Sequence, residues 1–103
     1  MEYINRIELQ GKIGSIRVQE IGDLSVANFS LVTEFVHKCN IVETCWHNIV
    51  AWESSMLFDP YLLKKGDKVR VVGRLRTSKY TSANGEDKTF YEVVASLVTT
   101  VKE

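Results

Sequence analysis

The feature that most constrains this chain is a hydrophobic period of two. At Ile7, Leu9 and Ile13 the odd positions are apolar, while Arg6, Glu8, Gln10 and Lys12 between them are polar. Such alternation puts one face of an extended chain against a core and the other in water. It predicts a first strand over about residues 4–18, in which Gly11 and Gly14 mark a bulge or a sharp bend. Gly22-Asp23 reads as a turn. A second strand follows over Ser25–Val36, with Ala27, Phe29 and Leu31 on one face and Asn28 and Ser30 on the other. A polar connection around Lys38–Glu43 leads to a third strand over about Thr44–Glu53. The fourth, Lys68–Thr77, sets Val69, Val71 and Leu75 against Arg70, Arg74 and Arg76. A polar loop over Ser78–Lys88 carries Asn84-Gly85, a type I′ turn signal, before a fifth strand from Thr89 to about Val101.

Helical spacing occurs once. Ser54-Ser55 can cap a short helix through Met56, Leu57 and Phe58. Pro60 stops that helix, or restarts it with Asp59 as the cap, and Gly66 is a C-terminal stop. The expected class is all-β: five strands with one short helix between the third and fourth. That is the element order of the OB-fold barrel, which binds oligonucleotides across its strand 2–3 face and its 1–2 and 4–5 loops. With 103 residues the chain is expected to be a single domain, residues 1–103.

Charge narrows the partner. Lysines and arginines number 13, and so do aspartates and glutamates, so the net charge is zero. The distribution is uneven, however. Residues 64–79 hold Lys64, Lys65, Lys68, Arg70, Arg74, Arg76 and Lys79 against Asp67 alone. A polyanion responds to such a local field more than to the global sum. No apolar run approaches the roughly 18 residues a membrane-spanning helix needs, and Met1-Glu2-Tyr3-Ile4-Asn5-Arg6 contains no secretory apolar segment. The cytoplasm is therefore the expected compartment, with Cys39 and Cys45 reduced.

Three aromatic residues are candidates for base stacking. Trp46 and Trp52 lie six apart in one strand and share a face with Asn48 and Val50; His47, Ile49 and Ala51 take the other. Both faces are largely apolar, so alternation leaves two readings open: a buried pair of tryptophans, or an exposed platform. Tyr80 follows Arg74, Arg76 and Lys79, and aromatics interleaved with cations suit a single strand, whose bases stack while its phosphates pair.

Several segments together resemble the bacterial single-stranded DNA-binding proteins. They are Asn5-Arg6-Ile7-Glu8-Leu9-Gln10-Gly11-Lys12-Ile13-Gly14, Val26-Ala27-Asn28-Phe29-Ser30-Leu31, Trp46-His47-Asn48-Ile49-Val50, Tyr61-Leu62-Leu63-Lys64-Lys65-Gly66-Asp67, Gly73-Arg74-Leu75-Arg76-Thr77 and Tyr91-Glu92-Val93-Val94-Ala95. The resemblance implies sequence-independent binding and protection of single-stranded DNA in replication, recombination and repair, by a homotetramer without cofactor. It places the family's stacking aromatics on Trp46, Trp52 and Tyr80, with Phe35 or His37 in a fourth position. It places His47 at a subunit interface. Arg74, Arg76 and Lys79 are the expected phosphate contacts, with Lys12 and Arg70 as weaker ones. The family usually continues into a disordered linker and an acidic tip that recruits other proteins, whereas this chain ends Thr99-Thr100-Val101-Lys102-Glu103. Tail-mediated partners are accordingly not expected.

Other readings have less support in the residues. A tail-less dimeric OB-fold adaptor of the restart primosome is the alternative within binding proteins, and the matched aromatics count against it. Catalysis would need clustered carboxylates or a positioned base, and here only Glu86-Asp87 are adjacent acids beside a turn glycine, so no enzyme is expected. His37, Cys39, Cys45 and His47 are of zinc-binding types, but the gap between the cysteines is wider than in a zinc turn. No metal is expected.

Overall fold

The computed structural model describes residues 2–56 and 59–101. Its strands are β1 (Ile7–Ile21), β2 (Leu24–Val36), β3 (Val42–Trp52), β4 (Lys68–Thr81) and β5 (Asp87–Thr100). They close into a barrel in the order β1-β2-β3-β5-β4. All neighbouring pairs are antiparallel except β3 and β5, which run parallel through Ile49↔Val93 and Val50↔Val94. The core holds Ile13, Ala27, Phe29, Leu31, Val69 and Val71 where alternation puts them, together with Ile49, Ala51, Met56, Leu63, Val93, Ala95 and Val98. This is the expected all-β OB-fold barrel.

β1 serves both sides of the barrel because it bends. Its first half pairs with β4 and its second with β2, and the β2 register slips between Ile13 and Ser15, leaving Gly14 as the bulged residue. The strand starts at Ile7 rather than at residue 4, and reaches Ile21 rather than 18. Upstream, Asn5 extends the contact through its side chain: Nδ2 donates to the Leu75 carbonyl at 2.7 Å and Oδ1 accepts from the Leu75 amide at 2.9 Å.

Four expectations are corrected. The segment between β3 and β4 forms two short 3-10 turns, Glu53–Ser55 and Pro60–Leu62, instead of one helix through Met56. Met56 is extended and bridges to Val98; the expected helical Leu57 and Phe58 lie outside the described residues. Asp59 does cap the second turn, accepting from the Tyr61 amide at 3.0 Å, whereas Gly66 lies in the turn before β4 and ends no helix. The expected loop over Ser78–Lys88 contracts to residues 82–86, because cross-strand pairing continues to Thr81↔Asp87. Its turn is also not type I′. Gly85 has φ 79° but Asn84 is not in the left-handed region, so the Ser82–Gly85 turn, closed by Gly85 N–H to Ser82 O at 2.9 Å, is a type I turn followed by a left-handed residue. The β2–β3 connection repeats this design, with Asn40 (φ 64°) in the left-handed place and its N–H donating to His37 O at 2.9 Å.

Candidate nucleic-acid interface

β3 decides which face is the core. Ile49 and Ala51 are buried, at 1% and 0% exposure, while Trp46 is 61% exposed. The even positions Trp46, Asn48, Val50 and Trp52 therefore point outward. Trp52 is half-buried at the strand's end. Six residues of extended chain separate the two indoles by about 20 Å. On the neighbouring strand, Ser30 pairs with Asn48 and Asn28 with Val50, so small polar side chains pave the surface between the tryptophans.

Trp46 is seated by a missing side chain. A Cβ built on Gly14 would lie 2.3 Å from Trp46 Cζ3 and 2.8 Å from Cη2. The indole thus lies directly over the β1 bulge, where only glycine leaves room. Ser30 completes the seat: its Oγ accepts from the Ser15 amide at 2.9 Å and lies 3.0 Å from Ser15 Oγ. The ring is consequently held against the barrel although most of its surface is open.

A groove of about 390 Å³ adjoins this seat, lined by Ser15, Arg17, Asn28, Ser30, Asn48, Phe90 and Glu92 among others. Its far wall is the outer end of the β4–β5 hairpin. Cross-strand pairs Arg74↔Val94, Arg76↔Glu92, Ser78↔Phe90 and Tyr80↔Lys88 share one face of that hairpin. Tyr80 belongs to β4 rather than to a loop. It is half exposed, and its ring meets Phe90 edge-on with centroids 6.1 Å apart. Sequence reasoning missed Phe90, Arg17, Asn28, Ser30 and Asn48. The signal available was the outward phase of β2 and β3, together with the register that sets Phe90 beside Ser78.

The cations divide into engaged and free. Arg76 donates through Nε to Glu92 Oε1 at 2.8 Å and through its NH2 group to the same oxygen. Arg70 donates to Glu8 Oε1 at 2.9 Å. These two expected phosphate contacts already hold a carboxylate. Among the described residues Arg74, Lys79, Lys12 and Arg17 have no carboxylate partner. With the Gln19 amide turned oxygen-first, Arg17 donates to it at 2.6 and 2.8 Å and keeps its charge uncompensated.

Some expected partners are not brought together. Lys79 pairs with Thr89 on the hairpin face away from Tyr80. Phe35 follows Phe29 and Leu31 in phase, onto the side of the β2–β3 ribbon opposite Trp46, and packs edge-on with His37 at 4.9 Å between centroids. Neither joins the Trp46 surface. His47 occupies the same inward phase. Its Nε2 lies 2.9 Å from Thr33 Oγ1, and burial pushes its pKa down. Cys39 and Cys45 are exposed thiols, and among the described residues no three His, Cys, Asp or Glu side chains are grouped to hold a metal.

A closed barrel of this strand order defines the OB-fold class, and here it carries exposed aromatic rings on β3 and β4 with uncompensated guanidinium groups on β1 and β4. The single-strand binding protein family model matches residues 4–101, and the chain belongs to that family. Single-stranded DNA-binding proteins of Neisseria meningitidis serogroups A and B are 30% identical to it, over 90% of this chain and 57% of their own length. The chain thus spans little more than half the length of those relatives. A Plasmodium falciparum SSB solved in complex with ssDNA superposes with a TM-score of 0.75 at 27% identity, covering 99% of this chain and 98% of that one.

Proposed function

We propose that this chain binds unpaired DNA along the outward face of β1, β2 and β3 and under the β4–β5 hairpin, protecting it during replication, recombination and repair. The observation that carries the reading is Trp46: a large ring, mostly exposed yet seated on Gly14, at the edge of a groove that also presents Arg17 and Phe90. An exposed, preorganised ring offers a base a stacking surface worth about 1–3 kcal/mol, whichever base it is. Trp46, Trp52, Tyr80 and Phe90 would hold bases. Arg74 and Arg17 would meet phosphates first, with Lys12 and Lys79 nearer the margin. Arg76 and Arg70 would contribute only where a phosphate competes with Glu92 or Glu8.

The role is binding, without chemistry on the nucleic acid. A homotetramer with His47 near a subunit contact, working in the cytoplasm beside the nucleoid, is the form this family membership favours. The test is fluorescence anisotropy with labelled single-stranded and duplex oligonucleotides at two salt concentrations, on protein whose mass is fixed by light scattering. Preference for the single strand, weakening with salt, on a tetramer is expected. Equal affinity for duplex would overturn the reading, and a dimer would overturn the assembly.

A further inference from the structure

We propose that Arg6 and Arg74 together hold one backbone phosphate of the bound strand, in a cleft at the β1–β4 seam. The inference rests on the reading of this protein as a binder of unpaired DNA, and it carries the strand's path beyond the β3 face.

β1 and β4 set the two arginines opposite each other. Ile7 pairs with Gly73, and the Asn5 side chain clamps the amide and the carbonyl of Leu75. Arg6 lies between these two attachments, directly across from Arg74. Both point outward, because their neighbours Ile7 and Gly73 take the inward phase. Like charges placed opposite each other on one sheet face repel. Little on the protein compensates them. Arg74 has no carboxylate partner among the described residues. Arg6 reaches only Glu8 Oε2, at 3.8 Å, while Glu8 Oε1 accepts from Arg70. Three guanidinium groups thus share one carboxylate. A cleft of about 330 Å³ opens at this point, lined by Asn5, Arg6, Arg74, Val94 and Ser96 among others. Two planar guanidinium forks beside one opening suit the paired oxygens of a phosphodiester.

The cleft also continues the stacking groove. Register partners run Arg17, Asn28, Val50, Val94, Arg74 across β1, β2, β3, β5 and β4. The first three line the groove beside Trp46 and the last two line the cleft. Four strand spacings separate Arg17 from Arg74, about 19 Å along the surface. Val50 and Val94 lie between them without charge, so no carboxylate of that row opposes a strand crossing from one cation to the next. Asn5 is neutral, and its part is to position Arg6.

The test is a set of salt titrations of oligo-dT binding, read by anisotropy, for the wild type, Arg6→Ala, Arg74→Ala, the double variant and Asn5→Ala. One shared phosphate predicts that each arginine variant lowers the log–log salt slope by about 0.7, and that the double variant lowers it no further. Asn5→Ala removes no charge, yet by releasing Arg6 it should weaken binding, and it should have no further effect on the Arg6→Ala background. Circular dichroism verifies that each variant is folded, and the arginine cycle decides the inference by itself if Asn5→Ala is not. A slope that Arg6→Ala leaves unchanged would overturn the inference. So would a double variant that loses about 1.4, the mark of two separate phosphates, or an Asn5→Ala penalty that persists without Arg6. The stacking interface survives each of these results, whereas failure of the wild type to bind oligo-dT would overturn both readings together.

Discussion

Replacing Gly14 with alanine should weaken DNA binding without destabilising the barrel. The added Cβ would lie 2.3 Å from Trp46 Cζ3, whereas non-bonded carbons settle at about 3.5–4.0 Å. The indole must therefore retreat by roughly 1.2 Å from its seat. Gly14 is not in the left-handed region, so its backbone accepts alanine, and the effect is steric. Trp46 is already 61% exposed, so swinging outward sacrifices little burial, and the thermal midpoint should scarcely change. What is lost is preorganisation: the ring no longer waits in one place for a base. Part of a stacking contribution of about 1–3 kcal/mol disappears, for which about 1 kcal/mol, roughly fivefold in affinity, is a fair expectation. The assay is a double-mutant cycle with Trp46→Ala, read by oligonucleotide anisotropy. Trp46→Ala alone should show a penalty of about 1–3 kcal/mol, and Gly14→Ala on that background should add less than about 0.5 kcal/mol. Wild-type affinity in Gly14→Ala, or a full penalty that persists without Trp46, would refute the argument.

Arg74→Ala should lower affinity and reduce the log–log salt slope by about 0.7, the value for one phosphate contact on a single strand; salt titrations of the variant check this. Lys79→Ala should change both quantities less, because Lys79 is on the hairpin face away from Tyr80. Phe35→Ala should likewise cost less binding than Trp46→Ala, measured by the same anisotropy titration, because its ring packs with His37 on the other side of the ribbon. Stability should also depend on pH through His47. Burial holds its folded pKa below the ordinary 6.5, so as pH falls through about 6.5 the unfolded chain takes up the proton first. The His47 contribution is present above that pH and is lost as acidification proceeds toward the folded pKa. Thermal melts across this range should show the decline, and His47→Gln should flatten it.

The barrel was legible because its signal is repeated in every strand. Ala27, Phe29 and Leu31, like Val69 and Val71, are in the core where alternation puts them, and the order of turns fixed the topology. Leu75 shows the limit. It keeps the inward phase, but the hairpin has left the barrel there and Leu75 is 40% exposed. Period alone cannot report where a strand outruns the core. The same blindness hid the site. β3 is apolar on both faces, so only cross-strand register reveals Trp46 as outward, and only the Gly14 bulge explains how it is held. The cations were visible as residue types, but their availability was not. Glu92 and Glu8 reach Arg76 and Arg70 from other strands, and such pairings have no signature along the chain. The polar residues around Tyr80 read as a loop, yet hairpin pairing outlasts the apolar pattern.

Whether DNA follows the outward β3 face can be read by titrating tryptophan fluorescence with oligo-dT in two single-tryptophan variants, Trp52→Phe and Trp46→Phe. Strong, salt-sensitive quenching of Trp46 is expected in the first and a smaller response of the half-buried Trp52 in the second. An unresponsive Trp46, in protein that still binds DNA by anisotropy, would contradict it and move the binding path to another face.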